Sequence, residues 1–218
     1  MRGLTFRFSG IFGIMVLLMV ALAGPGHASP LNYQIIVDTS TLLGSGGYVD
    51  LQFNPGTITA PGAQAALTSF SSDATLLSGA EVTGNVTGAL PGALLFSNTT
   101  QYNDFFQPVV FGNTTSFNLD FSGAFTTAVS GSNTRFSLSV LDTDFNSLLT
   151  VDPVGTILQF ELAPGGGITT TTFNADALGT PSVVTVAAVP EPASVVLLGS
   201  GLIGLVGMAR RSTRRLMT

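Results

Sequence analysis

The chain has 218 residues, of which 45% are hydrophobic and only 9% are charged, and its formal net charge is −5. Charged residues make up about a quarter of an average soluble protein, so uncharged polar side chains and glycine must cover this surface. Six of the seven arginines lie at the two ends, and between Leu31 and Val189 eleven acids accompany the single Arg135. Such a negative body repels phosphate backbones, which argues against nucleic acid as a partner.

Several catalytic classes are excluded by the residue types that the chain lacks. It has no cysteine, so disulfides, thiolate metal sites and cysteine nucleophiles are ruled out. Its single histidine, His27, lies in the N-terminal segment; without that segment, serine–histidine–aspartate hydrolysis and histidine-bound zinc are also excluded. Two carboxylates alone can hydrolyse glycosides, but no motif identifies such a pair. We therefore expect no enzyme, and a glycosidase is the weakest of the hypotheses.

The N-terminus has the three-part layout of a secretory signal peptide. Arg2 and Arg7 precede an apolar run at residues 11–23, and small residues follow up to Ala28. As a helix this run would span only about 20 Å, short of the ~30 Å hydrocarbon core of a bilayer. The sequence thus predicts a signal peptide at residues 1–28, exported by the Sec machinery and cleaved by signal peptidase between Ala28 and Ser29.

The body, residues 29–188, has the pattern of an all-β domain. Residues 49–54, 116–122 and 135–140 each alternate apolar with polar side chains, and glycine, proline and asparagine separate such stretches. Alternation with period two is typical of half-buried antiparallel strands. We predict an antiparallel β-sandwich, jelly-roll-like, with a short helix near residues 63–70. A closed barrel is the alternative that the spacing leaves open.

Two features of the body raise the question of ligands. Asp142, Asp144 and Asp152 follow a predicted strand, and carboxylate oxygens on a loop can bind Ca²⁺, although aspartate beside threonine and asparagine is also common in turns. The 16 phenylalanines fit a core better than a sugar platform, since tryptophan is absent and tyrosine is scarce. No cofactor or metal is assigned, and a weak carbohydrate- or Ca²⁺-binding module is the alternative function.

A second apolar segment lies near the C-terminus. Residues 193–209 carry no charge and would reach about 25 Å as a helix, which predicts a transmembrane helix once flanking residues are included. Arg210, Arg211, Arg214 and Arg215 follow at once, and arginines beside a span mark its cytoplasmic side. The body is then expected outside the membrane, as the signal peptide requires.

Immediately before this segment stand Pro190, Glu191 and Pro192. The two prolines fix φ on either side of one glutamate and present a short extended peptide with a charge at the membrane surface. In its order of Pro-Glu-Pro, apolar span and arginine cluster, the segment at residues 189–215 resembles the PEP-CTERM sorting signal of bacterial exosortase substrates. The body is similar, more loosely, to the small Ser/Thr/Gly-rich secreted proteins that carry this signal.

The resemblance implies a route of delivery and no reaction. A membrane-embedded exosortase would recognise Pro190, Glu191 and Pro192 and remove the anchor, while residues 193–209 hold the protein transiently in the inner membrane. The arginine cluster would act as the cytoplasmic stop-transfer signal. The body would then pass to the cell surface or the extracellular matrix as a structural protein, with exopolysaccharide as an expected partner. A plain anchor helix preceded by prolines is the alternative interpretation.

Overall fold

The computed structural model describes residues 31–173 and 183–189. The predicted signal peptide, the Pro-Glu-Pro motif, the transmembrane helix and the arginine cluster lie outside these ranges. In the described residues the chain is all-β, with two single-turn 3-10 helices at Ser40–Leu42 and Ala124–Thr126. The strands in these ranges are β1 (Asn32–Asp38), β2 (Gly46–Pro55), β3 (Ala63–Ser72), β4 (Thr75–Leu76), β5 (Glu81–Thr83), β6 (Val86–Gly88), β7 (Leu94–Ser97), β8 (Asp104–Val110), β9 (Thr114–Gly123), β10 (Thr134–Asp142), β11 (Thr156–Leu162), β12 (Ile168–Thr172) and β13 (Val184–Ala188).

The strands form two separate antiparallel sheets. The first, here called the β1 sheet, has the order β13-β1-β9-β3-β7-β6. The second, the β2 sheet, has the order β12-β11-β10-β2-β8-β4, and β5 also pairs with β8. The chain passes from one sheet to the other after most strands, whereas β4–β5, β6–β7 and β10–β12 stay within one sheet. This confirms the prediction of an all-β antiparallel fold.

Apolar side chains of the two sheets meet in one core and give a β-sandwich-like packing. The ring centroid of Phe121, on β9, lies 6.2 Å from that of Phe136 on β10 and 5.2 Å from that of Phe160 on β11. Tyr33 of β1 lies 4.7 Å from the same Phe160 ring. Most phenylalanines of the described ranges are buried in this core, as the sequence predicted.

The predicted helix at residues 63–70 is wrong, because this segment belongs to β3. The strand lies inside the β1 sheet, paired with β9 on one side and β7 on the other. Ala63, Ala65 and Leu67 alternate into the core and are almost completely buried. The helix propensity of alanine is a weak preference, and hydrogen bonds to two neighbouring strands together with burial of every second side chain outweigh it.

A buried asparagine links the two sheets. Asn98, directly after β7, accepts a hydrogen bond from the backbone N–H of Ala63 at 2.8 Å. Its amide group donates to the carbonyl of Pro61 at 2.8 Å and to the hydroxyl of Thr134, on β10 of the other sheet, at 2.7 Å. Three satisfied hydrogen bonds make burial of this amide tolerable, and they fix how one end of the β1 sheet meets the β2 sheet.

Replacing Phe160 with alanine should lower the free energy of unfolding by about 3–5 kcal/mol, because the fully buried ring leaves a cavity between the sheets. Urea denaturation followed by circular dichroism measures the change. The control is Val129→Ala at a side chain that is 99% exposed, for which we expect a change within about 0.5 kcal/mol. Equal stability of the Phe160 variant and the wild type would contradict this account of the core.

Candidate binding face and sorting signal

A polar groove crosses the outer face of the β2 sheet. It arises because alternate residues of β2 point away from the core, and neighbouring outward residues of β10 and β11 extend the same surface. Its volume is about 670 Å³. The principal polar residues along it are Asp50, Gln52, Asn54, Arg135, Gln159 and Glu161.

The side chains of β2 in this groove are held by hydrogen bonds to one another. The amide of Asn54 donates to Oε1 of Gln52 at 3.2 Å, and the amide of Gln52 donates to Oδ2 of Asp50 at 2.9 Å. The other end of the row is fixed by the backbone N–H of Asn103, which donates to Oδ1 of Asn54 at 2.7 Å. The row is therefore preorganised, with its donors and acceptors oriented before any ligand arrives.

Two carboxyl groups meet at one end of the groove. Asp104, on β8, lies opposite Gln52 and thus diagonal to Asp50. Oδ1 of each aspartate is buried and has no hydrogen-bond partner among the described residues. Burial, a hydrogen bond with Asp50 and the charges of Asp50 and Glu81 raise the pKa of Asp104 to about 8. Below that pH, Asp104 keeps a proton that it can donate to Asp50.

Glu161 lies too far from this pair to act with it on a glycosidic bond. Asp50 pairs with Ser139 of β10, whereas Glu161 pairs with Arg135 of the same strand. The two acids are thus two strands and four residues apart, roughly 16 Å from the usual strand spacing and rise. Glycoside hydrolysis uses carboxyls about 5–9.5 Å apart. The amide of Asn133 instead donates to Oε1 of Glu161 at 2.9 Å.

Three aromatic rings stand on the outer face of the β2 sheet beside the groove. The centroid of Tyr48 lies 4.6 Å from that of Phe106 and 5.1 Å from that of Phe145, and the ring planes are within 28° of parallel. Tyr48 and Phe106 are half-buried, whereas Phe145 is 62% exposed. We call these three residues the outer aromatic cluster.

The turn that carries Phe145 is held together by Asp142, one of the predicted calcium ligands. Its Oδ1 accepts hydrogen bonds from the backbone N–H groups of Asp144 and Asn146, both at 2.8 Å, and its Oδ2 accepts one from the Asn146 amide at 2.9 Å. These bonds, that of the Asn146 side chain first, lower the pKa of Asp142. Within this turn Phe145 has φ 64°, a left-handed conformation that costs about 1–3 kcal/mol in a bulky residue.

Two of the three aspartates that the sequence offers as calcium ligands accept hydrogen bonds within turns. Asp152 accepts a hydrogen bond from the backbone N–H of Thr156 at 3.1 Å, as Asp142 does within its own turn. Across the part of the chain that the structure describes, no group of three or more potential metal-ligating side chains occurs. Calcium binding at Asp142, Asp144 and Asp152 stays a prediction.

The chain leaves the body at an edge strand. β13 pairs with β1 from Val184 to Ala188, and the backbone N–H of Val189 donates to the carbonyl of Asn32 at 2.9 Å. Pro190 is the next residue, so the sheet and the Pro-Glu-Pro motif follow each other without a spacer. Within residues 31–173 and 183–189 there is no helix of sufficient length and apolarity to span a bilayer; the predicted helix at 193–209 lies outside them.

The all-β body is followed in the sequence by Pro-Glu-Pro, an apolar segment and an arginine cluster. This order is the organisation of an exported protein with a C-terminal sorting signal. Residues 188–215 match the family model of the PEP-CTERM protein-sorting motif. The chain therefore carries this motif, as the resemblance implied, and the motif implies export, interaction with exosortase and sorting toward the cell surface. Comparisons with curated proteins and with solved structures found no match.

Replacing Asp104 with asparagine should flatten the pH dependence of stability between about pH 4 and about pH 8. In this range the folded chain keeps a proton on Asp104 that the unfolded chain, with a pKa of 3.8, has released. The stability of the wild type therefore falls as the pH rises through this window and levels off above it. Asparagine cannot ionise and still offers Asp50 a hydrogen-bond donor.

Thermal melting at pH 4, 6 and 8 gives the slope of stability against pH for the wild type and for the Asp104 variant. Asp120→Asn, on the outer face of β9 in the other sheet, controls for the loss of one negative charge from an acidic body. Parallel slopes for the wild type and the Asp104 variant would contradict the raised pKa of Asp104.

Proposed function

We propose that this protein is a non-enzymatic structural protein that exosortase processes and delivers to the cell surface or the exopolysaccharide matrix. The observation that carries the proposal is the PEP-CTERM motif at residues 188–215, which begins at the last residue of β13. Signal peptidase first removes residues 1–28, and the helix at 193–209 then holds the body outside the inner membrane with Arg210 to Arg215 in the cytoplasm.

The end of β13 supports recognition of the motif as an extended peptide. Val189 still donates its N–H to Asn32 of β1, and the next residue in the sequence is Pro190. Pro190 and Pro192 have no backbone N–H and fix φ on either side of Glu191. This chemistry favours an extended Pro-Glu-Pro peptide that an enzyme can bind.

The body supports a structural role through its fold. Two hydrogen-bonded sheets around a ring-filled core provide a stable unit without disulfides, and repeated passage between the sheets favours jelly-roll-like connectivity.

Processing at the motif is tested by the mass of the mature protein. In cells that contain exosortase, we expect the exported chain to lack the residues that follow Pro190 to Pro192, and in cells without the enzyme we expect these residues to be retained. Glu191→Gln should accumulate the unprocessed form because it removes the charge between the prolines. Glu161→Gln, the same change within the body, should be processed normally. A chain that ends at Thr218 in both cell types would contradict the proposal.

A second candidate function is weak binding of carbohydrate. The observation that favours it is the polar groove beside the outer aromatic cluster, since together they offer hydrogen-bonding groups and ring faces on one surface. The calcium-binding form of this alternative has no comparable cluster of ligands in the described ranges.

Saturation-transfer NMR on the wild-type full chain tests the second candidate. The chain is kept in a detergent without a sugar headgroup, so that the detergent does not compete. We expect saturation transfer to at least one of cellohexaose, laminarihexaose and xylohexaose. No transfer to any of the three would remove carbohydrate binding and would leave the sorting proposal untouched.

A further inference from the structure

We propose that a neutral glycan chain binds along the outer face of the β2 sheet, with one sugar ring on the outer aromatic cluster and the following sugars in the polar groove. This inference rests on the second candidate function above and names the site and the class of ligand. It is independent of the sorting proposal.

The aromatic cluster and the groove are parts of one continuous surface. Tyr48 and Asp50 are successive outward residues of β2, so the ring of one adjoins the carboxylate of the other. Across the strand pair, Asp50 lies directly opposite Phe106 of β8. The groove lining therefore begins at Asp50, the outward residue next to Tyr48, so that one ligand can contact both.

The chemistry of this surface matches a sugar better than an apolar ligand. A pyranose has a face of C–H groups, which stacks on the electron-rich face of an aromatic ring, and a rim of hydroxyls that requires donors and acceptors. The groove volume, about 670 Å³, is within the range of about 300–1,000 Å³ for small-molecule sites. Most such sites are lined by apolar side chains, whereas here Gln52, Asn54 and Gln159 provide amides.

The position of Phe145 is the second observation that points to a ligand. Its backbone is left-handed and its ring is 62% exposed, although three hydrogen bonds to Asp142 fix the turn. A rigid turn thus holds a large apolar ring against Tyr48, with the rest of its surface toward water. A sugar stacked on this ring would remove it from water, which gives the exposed position a physical reason.

The charges of the groove select against polyanions. Asp50 and Glu161 lie along it together with Arg135, the only basic residue between Leu31 and Val189. Uronate, sulfate or phosphate groups on a glycan would meet this net negative surface, and their burial against it costs free energy. A neutral glycan meets no such repulsion, so its hydroxyls can use the amides and carboxylates as partners.

The site is tested by titration of the full chain in the same detergent. The ligand is the neutral hexasaccharide that gives the strongest saturation transfer. Phe145→Ala should weaken binding about tenfold, because it removes the exposed ring, while Phe145→Tyr should bind like the wild type. Gln52→Ala should weaken binding about fivefold, as expected for the loss of hydrogen bonds in the groove. The matched controls, Leu95→Ala and Gln34→Ala, lie on the outer face of the β1 sheet and should change nothing.

The outcomes separate the site from the function. If the wild type binds a neutral hexasaccharide but Phe145→Ala and Gln52→Ala bind equally well, the surface proposed here is wrong and carbohydrate binding stands. If the wild type binds no hexasaccharide, the proposed surface and the carbohydrate-binding function both fail. Binding of hexagalacturonate as tightly as of the neutral chain would overturn the argument from charge. Loss of binding in the two variants, with unchanged controls and unchanged thermal melting, supports the site.

Discussion

The alternation of strand β2 is the constraint on which the rest of the structure depends. β2 lies between β10 and β8 in the β2 sheet. Its inward residues, such as Leu51 and Phe53, are buried in the core, and its outward residues, such as Asp50 and Gln52, form the row of polar side chains in the groove. A shift of register by one residue would exchange the two sets. Selection for a filled core and selection for an ordered outer face therefore act on the same register.

The core also explains how the outer face can contain unfavourable features. The left-handed conformation of Phe145 costs free energy in the folded state, and so does burial of the Asp104 carboxyl once it is ionised. Net stabilities of domains are only about 5–15 kcal/mol, so burial of rings such as those of Phe121 and Phe136 between the sheets must offset these costs.

The sequence was sufficient for features that depend on local pattern, and insufficient for features that depend on register. Period-two alternation predicted strands such as β9 and β10, and the order of proline, apolar and arginine residues predicted the sorting motif that residues 188–215 match. The helix expected within β3 failed because alanine propensity says nothing about the two strands beside it. The outer aromatic cluster brings together β2, β8 and a turn, so no local window contains it. One sequence signal for the cluster was nevertheless available. Alternation along β2, counted back from the inward Phe53, places the ring of Tyr48 on the outer, polar face.

The sorting motif and the proposed binding face belong to different parts of the body. The sorting motif continues from β13, an edge strand of the β1 sheet, whereas the groove and the outer aromatic cluster lie on the outer face of the β2 sheet. The outer faces of two packed sheets point in opposite directions, so the proposed binding face does not lie on the sheet whose edge strand leads into the motif. Under the two proposals above, the strand order therefore lets sorting and glycan binding proceed at separate parts of the body.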